Sequence, residues 1–310
     1  MNGDEQLPHA DEVGSFYSRL SATKVSSFVR RKPWMTAVIL IFAFLIISLL
    51  PLPFGEISNL KSSNPATTAF MKEHEVISLE KGRAFRKSQV WVPLNKIPKS
   101  LIDAVVVAED GTFWSHSGFD WFEFRESMER NFEEGRAARG ASTITQQLVK
   151  NLYLSSSKNP LRKLREWILT WYMELKLSKS RILEIYLNVI EWGDGIYGVE
   201  AASWHYFGKS AIDLTTDEAT RLAAIIPSPR RHRANEDSPY VVRRAAIILN
   251  RMRVRGMVRE GSVRMASDSL TPTDTFRLPV DSLRFPPDSL NFPPDTFDVE
   301  QDSSNAQEEI

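Results

Sequence analysis

The chain has 310 residues, which is enough for one sizeable core and for one or two domains. Its 39 basic residues balance 39 acidic ones, and a formal net charge of zero argues against a general nucleic-acid binder. Cysteine is absent, which excludes disulfides and thiolate metal sites but does not identify the compartment.

The first element is an uncharged apolar run over 34–54, preceded by a polar stretch over 1–33 that we expect to be a disordered cytoplasmic tail. The run matches the ~20 residues that an α-helix needs to cross a bilayer. Arg30, Arg31 and Lys32 precede it and few cations follow closely, so the positive-inside rule places the rest of the chain outside the cytoplasm. The alternatives are a cleaved signal peptide and a buried core helix. We expect a single-span anchor because the run lacks both a small-residue cleavage site and a polar face.

The middle of the chain is predicted to be mainly α-helical. We expect residues 55–88 to form a linker and residues 89–262 to form the folded body. Apolar residues at three- and four-residue spacing predict four helices. These helices span 161–176, 179–190, 216–226 and 240–252. Residues 89–92 form the one short strand candidate.

The last segment, 263–310, is rich in Pro, Asp and Ser. A unit of Asp, then Ser or Thr, then Leu or Phe recurs in it. The units begin at Asp268, Asp274, Asp281, Asp288 and Asp295. Prolines interrupt the units, so neither helix nor sheet can propagate, and we expect a disordered tail. An array of short motifs that docks a partner is the alternative.

The first candidate site follows the apolar run LIDAVVVA, which should pack into the core as a helix. Glu109 ends this run, and partial burial raises the pKa of a carboxyl there towards that of a useful general base. Asp110 is its electrostatic neighbour, and Phe113 lies one turn on, where it can line the site. An ordinary acidic surface pair would look the same. His116 has no second His at metal-binding spacing, so we expect it to shape the following turn by hydrogen bonding.

A second candidate segment, 140–152, places small residues and hydroxyls at the start of a helix. Ser142 is the expected helix cap. The hydroxyl donors of this segment are Ser142, Thr143 and Thr145. Gln146 and Gln147 lie three or four residues before Lys150, so at least one shares its face. Such donors with a cation suit a phosphate-bearing ligand, although a decorated surface helix would carry the same residues.

Arg162, Lys163 and Glu166 open the next helix at spacings of three and four, so they can bridge on one face. They form either a surface ion pair of little energetic value or a carboxylate held among cations that bind an anion.

Residues 181–202 continue the pattern with a helix expected to end near Trp192. Three glycines follow, and we expect them to form a flexible loop before the chain resumes at Val199. These glycines are Gly193, Gly195 and Gly198. Glu184 and Asn188 share one helical face, where we expect structural capping or bridging roles. A catalytic role for Glu184 is the alternative.

Together, these segments resemble in order the signature blocks of the family-51 glycosyltransferases, the peptidoglycan glycosyltransferases. The blocks are 109–120, 140–152, 162–166, 182–202 and 219–229, within 89–250. QVWVP at 89–93 and GFDW at 118–121 further resemble the monofunctional biosynthetic transglycosylases.

The resemblance implies a lysozyme-like helical domain that polymerises lipid II. The donor is the growing glycan on undecaprenyl diphosphate, the acceptor is the 4-hydroxyl of the lipid II GlcNAc, and inversion gives a β-1,4 glycan. Glu109 matches the family's general base, and Glu166 matches its second essential glutamate, which acts at the diphosphate with Lys150, Arg162 and Lys163.

Other matched residues fall on the substrate groove and on the membrane. Those that match the donor groove are Ser142, Gln146 and Gln147. Asp110, Phe113 and Thr143 are further substrate-binding candidates. Aromatic residues fall where the family places its membrane-touching jaw: Trp121, Phe122, Phe124 and Phe132.

The chemistry needs a base, a membrane anchor and positive charge at the departing lipid diphosphate. We expect no obligatory cofactor and no protein-bound metal, with Mg²⁺ or Mn²⁺ at the diphosphate as an additional source of charge. The expected partners are lipid II, the bilayer and cell-wall synthesis or division proteins, with no nucleic acid. The catalytic domain is expected on the periplasmic side of the inner membrane.

Bifunctional relatives carry a penicillin-binding transpeptidase domain. Residues 155–158 read S-x-x-K without an accompanying K-T-G, so we expect no transpeptidase activity. A lytic transglycosylase or muramidase, which also uses a glutamate, is the main rival, and a non-catalytic membrane scaffold is another.

Overall fold

The computed structural model describes residues 52–134, 142–154 and 160–258, together with residues 34, 35, 37 and 38. The tails over 1–33 and 263–310 lie outside these residues, as does most of the apolar run over 34–54. None of the helices in the described ranges is long and apolar enough to cross a bilayer.

Helices dominate the described chain. In order they are α1 (Phe54–Asn59), α2 (Ala69–Glu80), α3 (Lys99–Glu109), α4 (Trp121–Glu134), α5 (Ile144–Tyr153), α6 (Pro160–Lys176), α7 (Lys179–Val189), α8 (Val199–Phe207), α9 (Thr216–Ile225) and α10 (Pro239–Val254). Short 3₁₀ turns span Leu94–Lys96 and Ala211–Asp213. The mainly helical fold and the four predicted helices are confirmed, and the bounds predicted for those four spans lie within two residues of the observed ones. The later end near Trp192 is wrong, because α7 stops at Val189 and Trp192 lies in the strand that follows.

The prediction of a flexible loop at the three glycines is wrong, because this part of the chain forms a small sheet. Its strands are β1 (Ser88–Gln89), β2 (Glu191–Gly193) and β3 (Ile196–Tyr197), in the order β1-β3-β2. β1 runs parallel to β3, and β2 runs antiparallel to it. Gly195 has a φ of 73°, and a Cβ there would lie 2.2 Å from the carbonyl oxygen of Arg86. Glycine is therefore needed for a tight turn and a close backbone contact rather than for flexibility.

Residues 55–88, expected to be a linker, are instead folded against the body. Ile57 of α1 and Met71 of α2 are buried in the same core as the other helices. α1 packs on α6, where the Phe54 ring lies 4.7 Å from the Tyr172 ring and the Ser58 hydroxyl lies 3.0 Å from the Tyr172 hydroxyl. The sequence of this segment does not show a clear apolar face, because other apolar residues of α2, such as Leu79, face solvent.

Two groups of helices position the candidate site. α3 packs against α9 and α10, and its apolar residues from Leu101 to Val107 are largely buried. α5 packs against α2, α6 and α7. The end of α3 meets the start of α5 through hydrogen bonds from Ile144 and Gln147 to the acidic pair.

Candidate active site

Glu109 is the last residue of α3, and its carboxylate is held from two sides. The Gln147 side-chain amide on α5 donates to one oxygen across 3.0 Å. The Arg244 guanidinium on α10 approaches the other oxygen at 3.4 Å. The Glu109 side chain is only 11% exposed. Burial, one neutral donor and one cation therefore fix the carboxylate in place.

The orientation of Gln147 is set by a tyrosine on α7. The Tyr186 hydroxyl donates to the Gln147 side-chain oxygen across 2.8 Å. Tyr186 is fully buried, and this burial, with the negative charges of Glu109 and Asp110, raises the pKa of its phenol well above the ordinary value. The phenol therefore stays protonated as a donor, and the Gln147 amide nitrogen must face Glu109.

Asp110 is engaged by protein donors. One of its oxygens accepts the Ile144 backbone N–H at the start of α5 across 3.0 Å. His116 lies 2.9 Å from the other oxygen through Nε2. Because the Gly118 N–H donates to His116 Nδ1, the histidine proton sits on Nε2 and points at Asp110. The expected turn-shaping role of His116 is confirmed, and Asp110 ties the end of α3 to the start of α5.

Phe113, expected to line the site, is fully buried. Its ring meets the Trp114 ring edge-on and lies beneath the Lys179 ammonium group at 4.4 Å. The Phe113 N–H donates to the Asp110 carbonyl across 3.0 Å, but the side chain packs inward and supports the turn rather than lining the site.

The cap of α5 is Thr143, and the prediction that Ser142 caps this helix is wrong. The Thr143 hydroxyl accepts the Gln146 N–H, while the Gln146 side chain accepts the Thr143 N–H across 3.0 Å. The Thr143 hydroxyl also donates to the Gly118 carbonyl across 2.8 Å. This capping box buries Thr143 and Gln146 and leaves Ser142 half-buried, facing the adjacent cleft.

Glu166 on α6 is buried and paired with two cations. Arg162 approaches one of its oxygens at 3.2 Å, and Lys163 bonds the other. The predicted bridge among these three residues is confirmed. Since Glu166 neutralises only one of the two cations, the cluster keeps a net positive charge.

The charges of both glutamates, Glu109 and Glu166, act on Lys150. The side chain reaches solvent, yet surrounding protein atoms remove part of the water around its ammonium group, and this desolvation lowers the pKa of Lys150. The charges of Arg162 and Lys163 lower it further, whereas Glu166 and Glu109 oppose the shift. Lys150 thus senses both carboxylates and adds a third positive charge to the cluster.

A cleft of about 470 Å³, open to solvent, lies beside this cluster. Its polar lining includes Ser142, Gln146 and Lys163. Its remaining lining is Phe119, Asp120, Trp121, Phe124 and Trp167. Of the aromatic residues expected at a membrane, Trp121, Phe122 and Phe124 are exposed, whereas the Phe132 side chain lies outside the described part. The cleft thus combines aromatic walls with polar groups and one cation, Lys163.

Within the described residues, no three His, Asp or Glu side chains lie close enough together to ligate a metal ion. Glu166 is already paired with two cations. A divalent ion in this cluster would take its ligands mainly from a bound diphosphate, as Mg²⁺ commonly does.

Sequence reasoning missed two contributors to the site. In the sequence, Tyr186 fits the apolar spacing that predicts the helix over 179–190. Arg244 lies 135 positions after Glu109, on a helix recognised only by its amphipathic pattern. A tyrosine on the buried face of a helix signals a hydroxyl that needs a partner. No local pattern marks Arg244.

The comparisons with known proteins cover this whole region. Residues 75–253 match a family model described as Transglycosylase. A biosynthetic peptidoglycan transglycosylase of Janthinobacterium sp. (strain Marseille) is 43% identical over 189 residues, which is 61% of this chain and 82% of that protein. A protein of the same name from Nitrosospira multiformis is 41% identical over 221 residues, 71% of this chain and 96% of that protein. Another, from Thiobacillus denitrificans, is 46% identical over 185 residues, 60% of this chain and 80% of that protein.

Proposed function

This chain belongs to the transglycosylase family and is a peptidoglycan glycosyltransferase, and we propose that it polymerises lipid II into β-1,4-linked glycan strands. The growing glycan on undecaprenyl diphosphate is the donor, and the 4-hydroxyl of the lipid II GlcNAc is the acceptor. The helical body supports the lysozyme-like architecture expected for such an enzyme.

Glu109 is the proposed general base. The acceptor oxygen attacks C1 of the donor sugar while Glu109 takes the hydroxyl proton, and the C1–diphosphate bond breaks with its electron pair leaving on the phosphate. A single displacement inverts the anomeric centre. The contacts from Gln147 and Arg244 support this role because they hold the carboxylate in a fixed direction before the acceptor arrives.

The leaving group is proposed to sit at the cationic cluster. Lys150, Arg162 and Lys163 stabilise the charge that develops on the diphosphate, and Glu166 holds two of these cations in position. The observation that carries the whole proposal is the pair of cations, Arg162 and Lys163, that Glu166 holds, with Lys163 lining the cleft. The charges of both glutamates also act on Lys150, which adds a third cation to this group.

The exposed aromatic residues beside the cleft support action at a membrane surface. Trp121 is 66% exposed and stacks near Phe119 at the cleft wall. Aromatic side chains favour the bilayer interface, where both lipid-borne substrates reside. We propose that the apolar run over 34–54 anchors the chain and that the body works on the periplasmic side, without transpeptidase activity.

A lytic enzyme is the competing function. It would cleave a neutral glycosidic bond and would need no diphosphate site. The cluster of Lys150, Arg162 and Lys163 therefore favours synthesis over cleavage.

The test uses the purified full-length protein with fluorescent lipid II and, in parallel, with preformed sacculi. Synthesis predicts a ladder of lengthening glycans that stops when Glu109 is changed to Gln. Shortening of the sacculi without elongation of lipid II would identify the lytic activity instead.

A further inference from the structure

The end of α10 reaches the turn that carries the proposed base. Arg255 is the residue that caps this helix, and its guanidinium donates to the Gly111 carbonyl across 2.9 Å. Gly111 lies two residues after Glu109. A Cβ built on Gly111 would lie 2.7 Å from one guanidinium nitrogen of Arg255 and 3.0 Å from the other. The guanidinium therefore covers the glycine as well as bonding its carbonyl.

The backbone at Arg255 is fixed by the way α10 ends. Gly256 adopts a φ of 67° and donates its N–H to the Arg253 carbonyl, and Met257 donates to the Met252 carbonyl across 2.9 Å. These two bonds form a Schellman motif. Met252 is fully buried and Met257 packs on the core, so the helix end is anchored. Arg255 thus projects from a defined position.

Two arginines on one face of α10 contact the turn that follows α3. Arg244 and Arg255 lie eleven residues apart (255 − 244), which is close to three helical turns and puts both on the same face. Arg244 contacts the Glu109 carboxylate, and Arg255 contacts the backbone two residues later. From the other side, Asp110 is tied to the start of α5. The turn is therefore held between α5 and α10.

We propose that Arg255 is a positioning residue, which holds the Gly111 carbonyl and thereby the turn that aims Glu109 at the acceptor hydroxyl. The inference rests on the proposed function. It concerns a residue that lies beyond the end of the family match at residue 253. Gly111 is part of this contact because any larger side chain at position 111 would displace the Arg255 guanidinium.

The decisive experiment is a double-mutant cycle on the full-length protein, with initial rates of lipid II polymerisation measured at several lipid II concentrations. Its four members are the unaltered chain, Arg255→Ala, Gly111→Ala and the double variant. Rates are measured below the unfolding transition of every member, so loss of folded protein does not contribute. Arg253→Ala is the matched control, since it removes the same side-chain type two positions away, on the opposite face of α10.

Arg255→Ala is expected to lower kcat roughly threefold to tenfold, the factor that corresponds to one hydrogen bond, with little change in KM. Gly111→Ala should produce a similar loss because its methyl group expels the guanidinium. The double variant should be no worse than either single variant, since the methyl group then occupies vacated space. Arg255→Lys, which keeps a donor and a charge, should recover part of kcat.

Two results would overturn the inference. One is an Arg255→Ala enzyme with unchanged kcat. The other is a Gly111→Ala loss that persists in full when Arg255 is already absent, because the glycine would then act without the arginine. Failure of the unaltered chain to elongate lipid II is a different outcome, and it would refute the proposed function itself.

Discussion

Gln147 donates a hydrogen bond to Glu109 across 3.0 Å, although the two residues lie 38 positions apart and on different helices. Gln147 is itself oriented by the Tyr186 hydroxyl. The proposed base therefore stands at the end of a chain of three side chains from three helices. Such a chain fixes the direction of the Glu109 carboxylate, and that direction then depends on how the core packs around Tyr186.

Changing Glu109 to Gln should abolish polymerisation while leaving the fold intact. Glutamine keeps the shape but cannot accept a proton, and loss of a general base typically costs about 10²–10⁴-fold in rate. The measurement combines the initial rate of glycan elongation with circular dichroism. Glu184→Gln is the control, because Glu184 bonds the Leu94 N–H and Arg181 in a structural role. A fully active Glu109→Gln enzyme would refute the assignment of the base.

Tyr186→Phe should lower kcat without a comparable change in KM. Without the phenol, the Gln147 amide loses the partner that sets its orientation, and we expect roughly a threefold to tenfold loss, equivalent to one hydrogen bond. Tyr206→Phe is the matched control. Tyr206 also sits in the core and donates through its hydroxyl, in its case to the Trp192 carbonyl across 2.8 Å.

Both tyrosine variants should be destabilised by about 1 kcal/mol in chemical denaturation, because each loses one buried hydrogen bond. Only Tyr186→Phe should lose activity. Equal activity in the two variants would show that the path from Tyr186 to Glu109 does not affect catalysis.

Lys150 should control the alkaline limb of the pH–rate profile. Partial desolvation, and then the charges of Arg162 and Lys163, hold the pKa of Lys150 below its ordinary value of 10.5. The ammonium group is charged below its pKa, so activity that depends on this charge is complete at lower pH and declines as the pH rises through the lowered pKa. Lys150→Arg stays charged throughout this range and should move the limb to higher pH.

Measurements of kcat from near-neutral to alkaline pH test this prediction. Lys87→Arg is the control, since Lys87 is an exposed lysine that bonds the Ala66 carbonyl and Gln89, away from the cluster. An alkaline limb shared by Lys150→Arg and the unaltered enzyme would exclude Lys150 as its source.

Removal of divalent ions should slow polymerisation less than removal of Lys150. Three cationic side chains already stand where we place the diphosphate, so chelation by EDTA should leave measurable elongation, with Mg²⁺ or Mn²⁺ adding to it. The comparison is between the unaltered enzyme in EDTA and Lys150→Ala with Mg²⁺. Complete loss in EDTA with full recovery on adding metal would show that a divalent ion is obligatory.

The sequence predicted the helices well where burial is periodic. α6, α7, α9 and α10 each place apolar residues on one face, and their bounds follow from that spacing. The spacing of apolar residues does not predict α1 and α2, because their buried residues are few and other apolar residues there face solvent. The glycines near residue 195 predict flexibility by residue type alone. The sheet that forms there also needs the pairing of β3 with β1, which joins Ile196 to Ser88 and leaves no signal in a short window.

For the site, the residue types were easier to predict than their roles. Glu109 and Glu166 were singled out by charge and position, and the bridge among Arg162, Lys163 and Glu166 follows from helical spacing alone. The partners of Glu109 could not be predicted, since the contacts with Gln147 and Arg244 depend on how α3, α5 and α10 pack. The direction in which the Phe113 side chain points is decided by packing in the same way.

The cap of α5 offers the sharpest test of a corrected prediction, because Ser142 and Thr143 are neighbours with similar side chains. Thr143→Ala removes the capping box and the bond to the Gly118 carbonyl, so the free energy of unfolding should fall by about 2 kcal/mol. Ser142→Ala should change it by less than about 0.5 kcal/mol, since Ser142 does not cap the helix.

Activity should respond in the opposite order. Ser142 lines the cleft beside Lys163, so its loss should raise KM for lipid II while stability is preserved. Thr143→Ser, which keeps the hydroxyl, should retain most of the stability that Thr143→Ala loses. Chemical denaturation and substrate titration of the three variants measure both quantities. If Ser142→Ala proved the more destabilising change, the helix would be capped by Ser142 in solution, and the start of α5 would lie one residue earlier than observed.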